Sequence, residues 1–272
     1  MTEHTRALLA EIAGTFMFFV IGAGAIVTAS ISAAPGTGLI PVALAHGLAL
    51  AVAVSSFGAI SGGHFNPAVT FALAIARKHP WPRVPTYWAA QLVGALLAGL
   101  ALRLFFEPFL AQAAATHLGT TTVNPAVSPL LAILIEAILT VFLVWAVFGT
   151  AVSPDAPPIA GFGIGLVVTA DILIGGPLTG AAMNPARWFG PAMVSGYLDN
   201  WYVYWIGPLL GAALAALTYR YVFAPEAERE PIVLPSAVHS IPSSVRSGPA
   251  SPAPTEPLST DTPTSRDRTE RL

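Results

Sequence analysis

Six stretches of this 272-residue chain stay apolar for about twenty residues each, and that feature removes most folds from consideration. They run over 7–31, 39–60, 85–106, 128–150, 158–176 and 201–223. A helix needs roughly 20 apolar residues to cross the hydrocarbon core of a bilayer. Backbone in that core must satisfy its own hydrogen bonds, so only helices and closed barrels can span it. Runs of this length are helical, and the sequence predicts an all-α membrane protein. Composition agrees: 54% of residues are hydrophobic and only 10% charged, against about 25% charged in a soluble domain.

Other classes fall away in turn. With no cysteine, neither a disulfide framework nor thiolate chemistry is available. A net charge of −2 gives no electrostatic argument for a nucleic-acid partner. The opening "MTEHTRALLAEIAGTFMFF" reads as the first span and not as a cleaved signal, because its apolar run is too long and lacks a small-residue cleavage site. No arrangement of acids and histidines suggests an enzyme, a metal site or a cofactor. Arg6, then Arg77, Lys78 and Arg83, then Arg220 and Arg229 fall on one side of six spans, while 107–127 holds no Lys or Arg. The positive-inside rule therefore puts both ends in the cytoplasm. Arg outnumbers Lys 11 to 1, which points to a bacterial cell membrane. From residue 225 the chain turns to Pro, Ser, Thr, Arg and Glu. The expected organisation is a channel domain over 1–224 and a disordered cytoplasmic tail over 225–272.

Two shorter apolar pieces, 66–76 and 184–194, follow two polar decapeptides, "SGGHFNPAVT" (61–70) and "TGAAMNPARW" (179–188). They belong to an internal repeat. "LLAEIAGTFMFFV" (8–20) matches "ILIEAILTVFLVW" (133–145), with Glu11 over Glu136, and "YWAAQLVGALLAGLAL" (87–102) matches "YWIGPLLGAALAALTY" (204–219). Each copy, 7–106 and 128–223, has three spans, so the second is inserted upside down. Asn caps a helix start and Pro suits its first position. Each short piece, at about 1.5 Å per residue, crosses half a bilayer. Two half-helices entering from opposite sides would meet N-terminus to N-terminus near the midplane. Irregular backbone at that depth needs protein or a water-filled cavity around it, so a polar pore is expected there. A third "NPAV" at 124–127 lies outside the repeat register and precedes a full span, so Asn124 reads as a loop or cap residue.

At these residues the chain resembles the aquaporin (major intrinsic protein) family, over about 7–223. The resemblance implies six tilted helices, two re-entrant half-helices and one pore per subunit of a homotetramer. It implies that Asn66 and Asn184, in the boxes Asn66-Pro67-Ala68 and Asn184-Pro185-Ala186, donate to water at the centre. It implies that Glu11 and Glu136, with His64 nearby, hold the re-entrant loops. The selectivity positions fall at His46, Ile172, Ala181 and Arg187. This set, with "ALAHGLALAVAV" and "ILIGGPLTGAAMNPA", is similar to the plant tonoplast group. Glycerol facilitators carry Asp after the filter Arg and Pro in the sixth span, where this chain has Trp188 and Tyr204-Trp205. His117 occupies an outer-loop place where tonoplast members also carry Thr-His, and is a candidate for the outer mouth. The function implied is a passive channel for water, with ammonia and urea as further neutral solutes and with protons and ions excluded. A glycerol or small-polyol facilitator, a coupled transporter with broken helices and a closed structural member of the same fold are the alternatives. Asp171 adjoins Ile172 and, about 100° around the helix from it, cannot share its place on the pore.

Overall fold

The computed structural model describes residues 1–32 and 38–225. Helices α1 (Glu3–Ser32), α2 (Leu39–Ser61), α4 (Val84–Phe105), α6 (Pro129–Val147), α7 (Ala160–Thr179) and α9 (Val203–Thr218) are the long ones. All six are long and apolar enough to cross a membrane, α6 and α9 with the π-helical turns that continue them, Phe148–Val152 and Tyr219–Phe223. The half-length helices are α3 (Pro67–Ile75) and α8 (Pro185–Ser195). No strand occurs among the described residues. The expected tail lies outside them, apart from residue 225.

The chain departs from the sequence expectation between α4 and α6. A loop was expected over 107–127, but α5 (Leu110–Ala115) forms there, flanked by 3-10 turns at Glu107–Phe109 and His117–Gly119. The alanines at 111 and 113–115 favour helix strongly, yet the run is too short to register as a span. Asn124 sits exposed in this connection. Its Oδ1 accepts from the Ala126 amide in a local turn and its Nδ2 donates to the Pro177 carbonyl near the end of α7, so it caps no half-helix.

Many large apolar residues face outward and alanines and glycines fill the helix contacts, unlike a soluble bundle. Ile40, Leu44, Leu48 and Val52 form an exposed stripe along α2, while Ala43, Ala49 and Ala53 are buried. Between membrane helices, close packing of small residues supplies the attraction that lipid tails cannot. The repeat is visible in this packing. A methyl group on Gly94 of α4 would collide with the Ile12 carbonyl of α1, and one on Gly211 of α9 with the Ala137 carbonyl of α6. Two helix pairs, α1 with α4 and α6 with α9, are thus drawn to backbone contact at equivalent places.

Candidate functional site

Each half-helix is built by the same short grammar. Asn66 (φ −156°) accepts from the Ala68 amide at 2.8 Å, and Pro67 opens α3. Asn184 (φ −155°) accepts from the Ala186 amide at 3.0 Å, and Pro185 opens α8. The capped amides are orphan donors that a helix start must satisfy. Pro67, Ala68, Pro185 and Ala186 are buried in the first turns. The residue before each Asn is left-handed, Phe65 at φ 47° and Met183 at φ 53°. The turns before them repeat the pattern: Gly62 (φ 94°) and Gly63 (φ 65°) in the first half, Gly180 (φ 81°) and Ala181 (φ 49°) in the second. Such backbone costs energy for residues with a Cβ and persists where the surroundings enforce it.

A buried carboxylate enforces it in each half. Glu11 accepts from Ser61 Oγ (2.6 Å), the His64 amide (3.0 Å), the Phe65 amide (2.7 Å) and Gln91 Nε2 (2.8 Å). Glu136 accepts from Thr179 Oγ1 (2.6 Å), the Ala182 amide (3.0 Å) and the Met183 amide (2.7 Å). Both are fully buried. Tyr87 donates to the Ser61 carbonyl at 2.8 Å and Tyr204 to the Thr179 carbonyl at 2.9 Å. The halves diverge behind these anchors. In the first, His64 Nδ1 lies 3.0 Å from Thr70 Oγ1, which also receives Gln91 Nε2. In the second, Trp188 takes the place of Thr70 and stacks on Tyr204 at 6.2 Å. Trp188 therefore packs the half-helix against α9 and does not line the channel.

The two boxes meet. Asn66 Nδ2 donates to the Met183 carbonyl at 3.0 Å, and Asn184 Nδ2 donates to the Phe65 carbonyl at 2.9 Å. Each amide NH2 has two hydrogens, so each keeps one for another acceptor. His46, His64, Asn66, Ile172, Ala181, Asn184 and Arg187 all line one narrow cavity with a water-sized volume of ≈ 20 Å³, about what a single water needs. His117 and Asp171 are not among its lining residues. Asp171 is buried, and its Oδ2 has no partner among the described residues.

Arg187 is held on one side of this cavity. Its Nε donates to His46 Nε2 at 3.0 Å and its Nη1 to the Gly119 carbonyl at 2.8 Å. Arg offers only donors, so His46 Nε2 must accept, and Nδ1 carries the proton it donates to the Val42 carbonyl at 2.8 Å. His46 is thus a neutral ring with both nitrogens engaged. Gly22 makes room for the ring, since a methyl there would strike it. Arg187 Nη2 has no partner among the described residues.

At the face where α1 begins and α9 ends, His79 packs edge-on to His64 (ring centroids 4.9 Å) and Tyr87 (4.5 Å). Burial, reinforced by His64 and Arg83, pushes His79 down to about 4. Arg220 Nη1 donates to the Ile75 carbonyl at 3.3 Å, a cation at the negative end of α3. Sequence reasoning missed Ser61, Thr179, Tyr87 and Tyr204, although all four stood in the aligned repeats. It also missed Gly119, which gives no side-chain signal because it acts through its carbonyl.

Comparison with known proteins agrees with this geometry. Residues 1–219 match the family described as Major intrinsic protein. The chain is 45% identical over 241 residues to the "Probable aquaporin TIP3-2" of Arabidopsis thaliana, covering 84% of this chain and 88% of that protein. It is 44% identical over 235 residues to "Aquaporin TIP4-4" of Zea mays, covering 84% and 90%. Its fold is similar to that of the aquaglyceroporin from Plasmodium falciparum (TM-score 0.74, 24% identity, 80% of this chain and 96% of that one). Six membrane-length helices, two re-entrant half-helices and a family match over most of its length together mean that the chain belongs to the major intrinsic protein family, as a multi-pass membrane channel and not an enzyme.

Proposed function

We propose that this chain is a passive water channel that excludes protons and ions. The observation that carries the reading is the meeting of Asn66 and Asn184 across the cavity, each with one amide hydrogen uncommitted. A water that accepts from both points its own hydrogens away, which interrupts a proton wire at that place. The positive ends of α3 and α8 converge there and oppose cations, the arrangement general to aquaporin-type pores. In this reading Glu11, Glu136 and His64 hold the loops, and His46, Ile172, Ala181 and Arg187 form the selectivity constriction. The relatives named aquaporins support water as the solute. Both ends are cytoplasmic, and the subunits form a homotetramer. The two aquaporins named above, from Arabidopsis thaliana and Zea mays, are plant proteins, which lends no support to the bacterial cell membrane expected from composition.

Small neutral solutes, ammonia first and urea next, are a second reading. Arg187 is drawn to the wall by His46 and Gly119, and the facing residues, Ile172 and Ala181, are apolar and buried. The free Nη2 of Arg187 remains to meet a permeating molecule. Dye-loaded proteoliposomes under an ammonia gradient should alkalinise faster than empty ones. A His46→Phe, Ile172→His pair should lose that flux and keep water flux. Equal ammonia flux in both would leave a water channel alone, and rapid glycerol flux would favour the polyol alternative.

A further inference from the structure

His117 (φ 47°), Leu118 (φ 55°) and Gly119 (φ 75°) are consecutive left-handed residues. Residues with a Cβ avoid this region, and a run of three survives only where contacts hold it. Three contacts do so. Gly119 is wedged against the Ala23 backbone of α1, where no Cβ would fit. Leu118 is buried with Val27 and Ala113. The His117 ring lies flat on Tyr197, with centroids 3.9 Å apart and planes at 16°. Thr120 Oγ1 closes the turn by donating to the His117 carbonyl at 2.5 Å.

The far end of this turn is the Gly119 carbonyl that accepts from Arg187 Nη1 at 2.8 Å. Arg187 lies in the first turn of α8, and Tyr197 follows the Gly196 that caps its end. The outer-loop turn therefore touches the same half-helix at both ends. A contact at each end of a rigid helix fixes the turn lengthwise.

We propose that Tyr197 is a positioning residue for the constriction. By stacking on His117 it sets where the Gly119 carbonyl stands, and through that carbonyl it keeps the Arg187 guanidinium against the wall. Tyr197 is not among the residues lining the channel, so it acts only through the turn. Without its ring the left-handed turn relaxes and the carbonyl withdraws. Arg187 then keeps His46 alone and turns toward the single file of water. The functional consequence rests on the water-channel reading above.

The test compares osmotic water permeability per channel in proteoliposomes at equal density. Tyr197→Ala should lower it by about two- to tenfold, the range an aromatic stack can supply, and Tyr197→Phe should restore it. His117→Ala should reproduce the loss if Tyr197→Ala fails to fold. On an Arg187→Val background, Tyr197→Ala should change nothing, because the group it positions is gone. An equal loss on both backgrounds, or none on the wild-type background, overturns the proposal. A measurement independent of flux uses the Arg187 side-chain nitrogens in bilayer NMR. Their signals should shift in Tyr197→Ala and stay in place in Tyr197→Phe. Unmoved signals in Tyr197→Ala overturn the proposal whatever the channel conducts, whereas wild-type flux no greater than that of empty vesicles would overturn the water-channel reading instead.

Discussion

Replacing Glu136 by Gln changes one oxygen to an NH2 group in a site built entirely of donors. Glu136 Oε1 accepts from Thr179 Oγ1 and the Ala182 amide, and Oε2 accepts from the Met183 amide. If the new amide nitrogen faces Met183, two donors confront each other at the place of a 2.7 Å bond. If it flips, Thr179 can turn its hydroxyl to accept, but the Ala182 amide is orphaned. Either way one buried backbone N–H loses its acceptor, costing about 1–3 kcal/mol, and the two remaining bonds lose their charge assistance, about 1 kcal/mol each. Removing a buried charge offsets part of this, leaving about 2–4 kcal/mol net. At about 2–4 °C per kcal/mol for a domain of this size, the thermal midpoint in detergent should fall by roughly 4–16 °C. Thr179→Val should cost a comparable amount, because it keeps the Ala182 and Met183 amides bonded but removes the acceptor of the Ala181 amide. A Glu136→Gln midpoint within about 2 °C of wild type would refute the reasoning that the carboxylate holds the second loop.

Three further outcomes follow from the same packing and backbone geometry. Ala181→Gly should raise stability by about 1 kcal/mol, because it relieves a left-handed alanine where the repeat partner is Gly63; unchanged or lower thermal stability would speak against strain at that turn. Gly211→Ala should sharply reduce the yield of monodisperse protein, since its methyl would meet the Ala137 carbonyl, whereas Gly196→Ala, with nothing within 4 Å of its added Cβ, should keep yield and lose only about 1 kcal/mol to its left-handed backbone. His79 stays neutral in the fold down to about 4, while the unfolded chain takes up its proton below about 6.5. Stability should therefore fall as pH drops through that window, and His79→Gln should flatten the decline in detergent melting curves.

What the sequence made legible, it did through period and repetition. The spans are unbroken apolar runs, so their number and approximate ends could be read directly. The half-helices announced themselves by Asn-Pro placed after a membrane glutamate in each copy, Asn66 after Glu11 and Asn184 after Glu136, and the two carboxylates bond the turns that lead into α3 and α8. The outer connection was opaque. Its helix α5 is six residues long, and the turn at 117–119 is made left-handed by contacts with α1 and Tyr197, none of which leaves a local pattern. His46 shows a different limit. Its position was readable from its distance to Asn66, but whether its ring nitrogens serve a solute or a neighbour depends on Arg187, 141 residues away.

In the water-channel reading, the paired Asn66 and Asn184 boxes pass water and break a proton wire. Stopped-flow light scattering and a pH-sensitive dye, read on the same proteoliposomes, test both halves at once. Osmotic shrinkage should be much faster than in empty vesicles, with a weak temperature dependence, while the dye signal under a proton gradient stays at the empty-vesicle rate. Shrinkage no faster than in empty vesicles, or proton entry that rises in step with water flux, would contradict it.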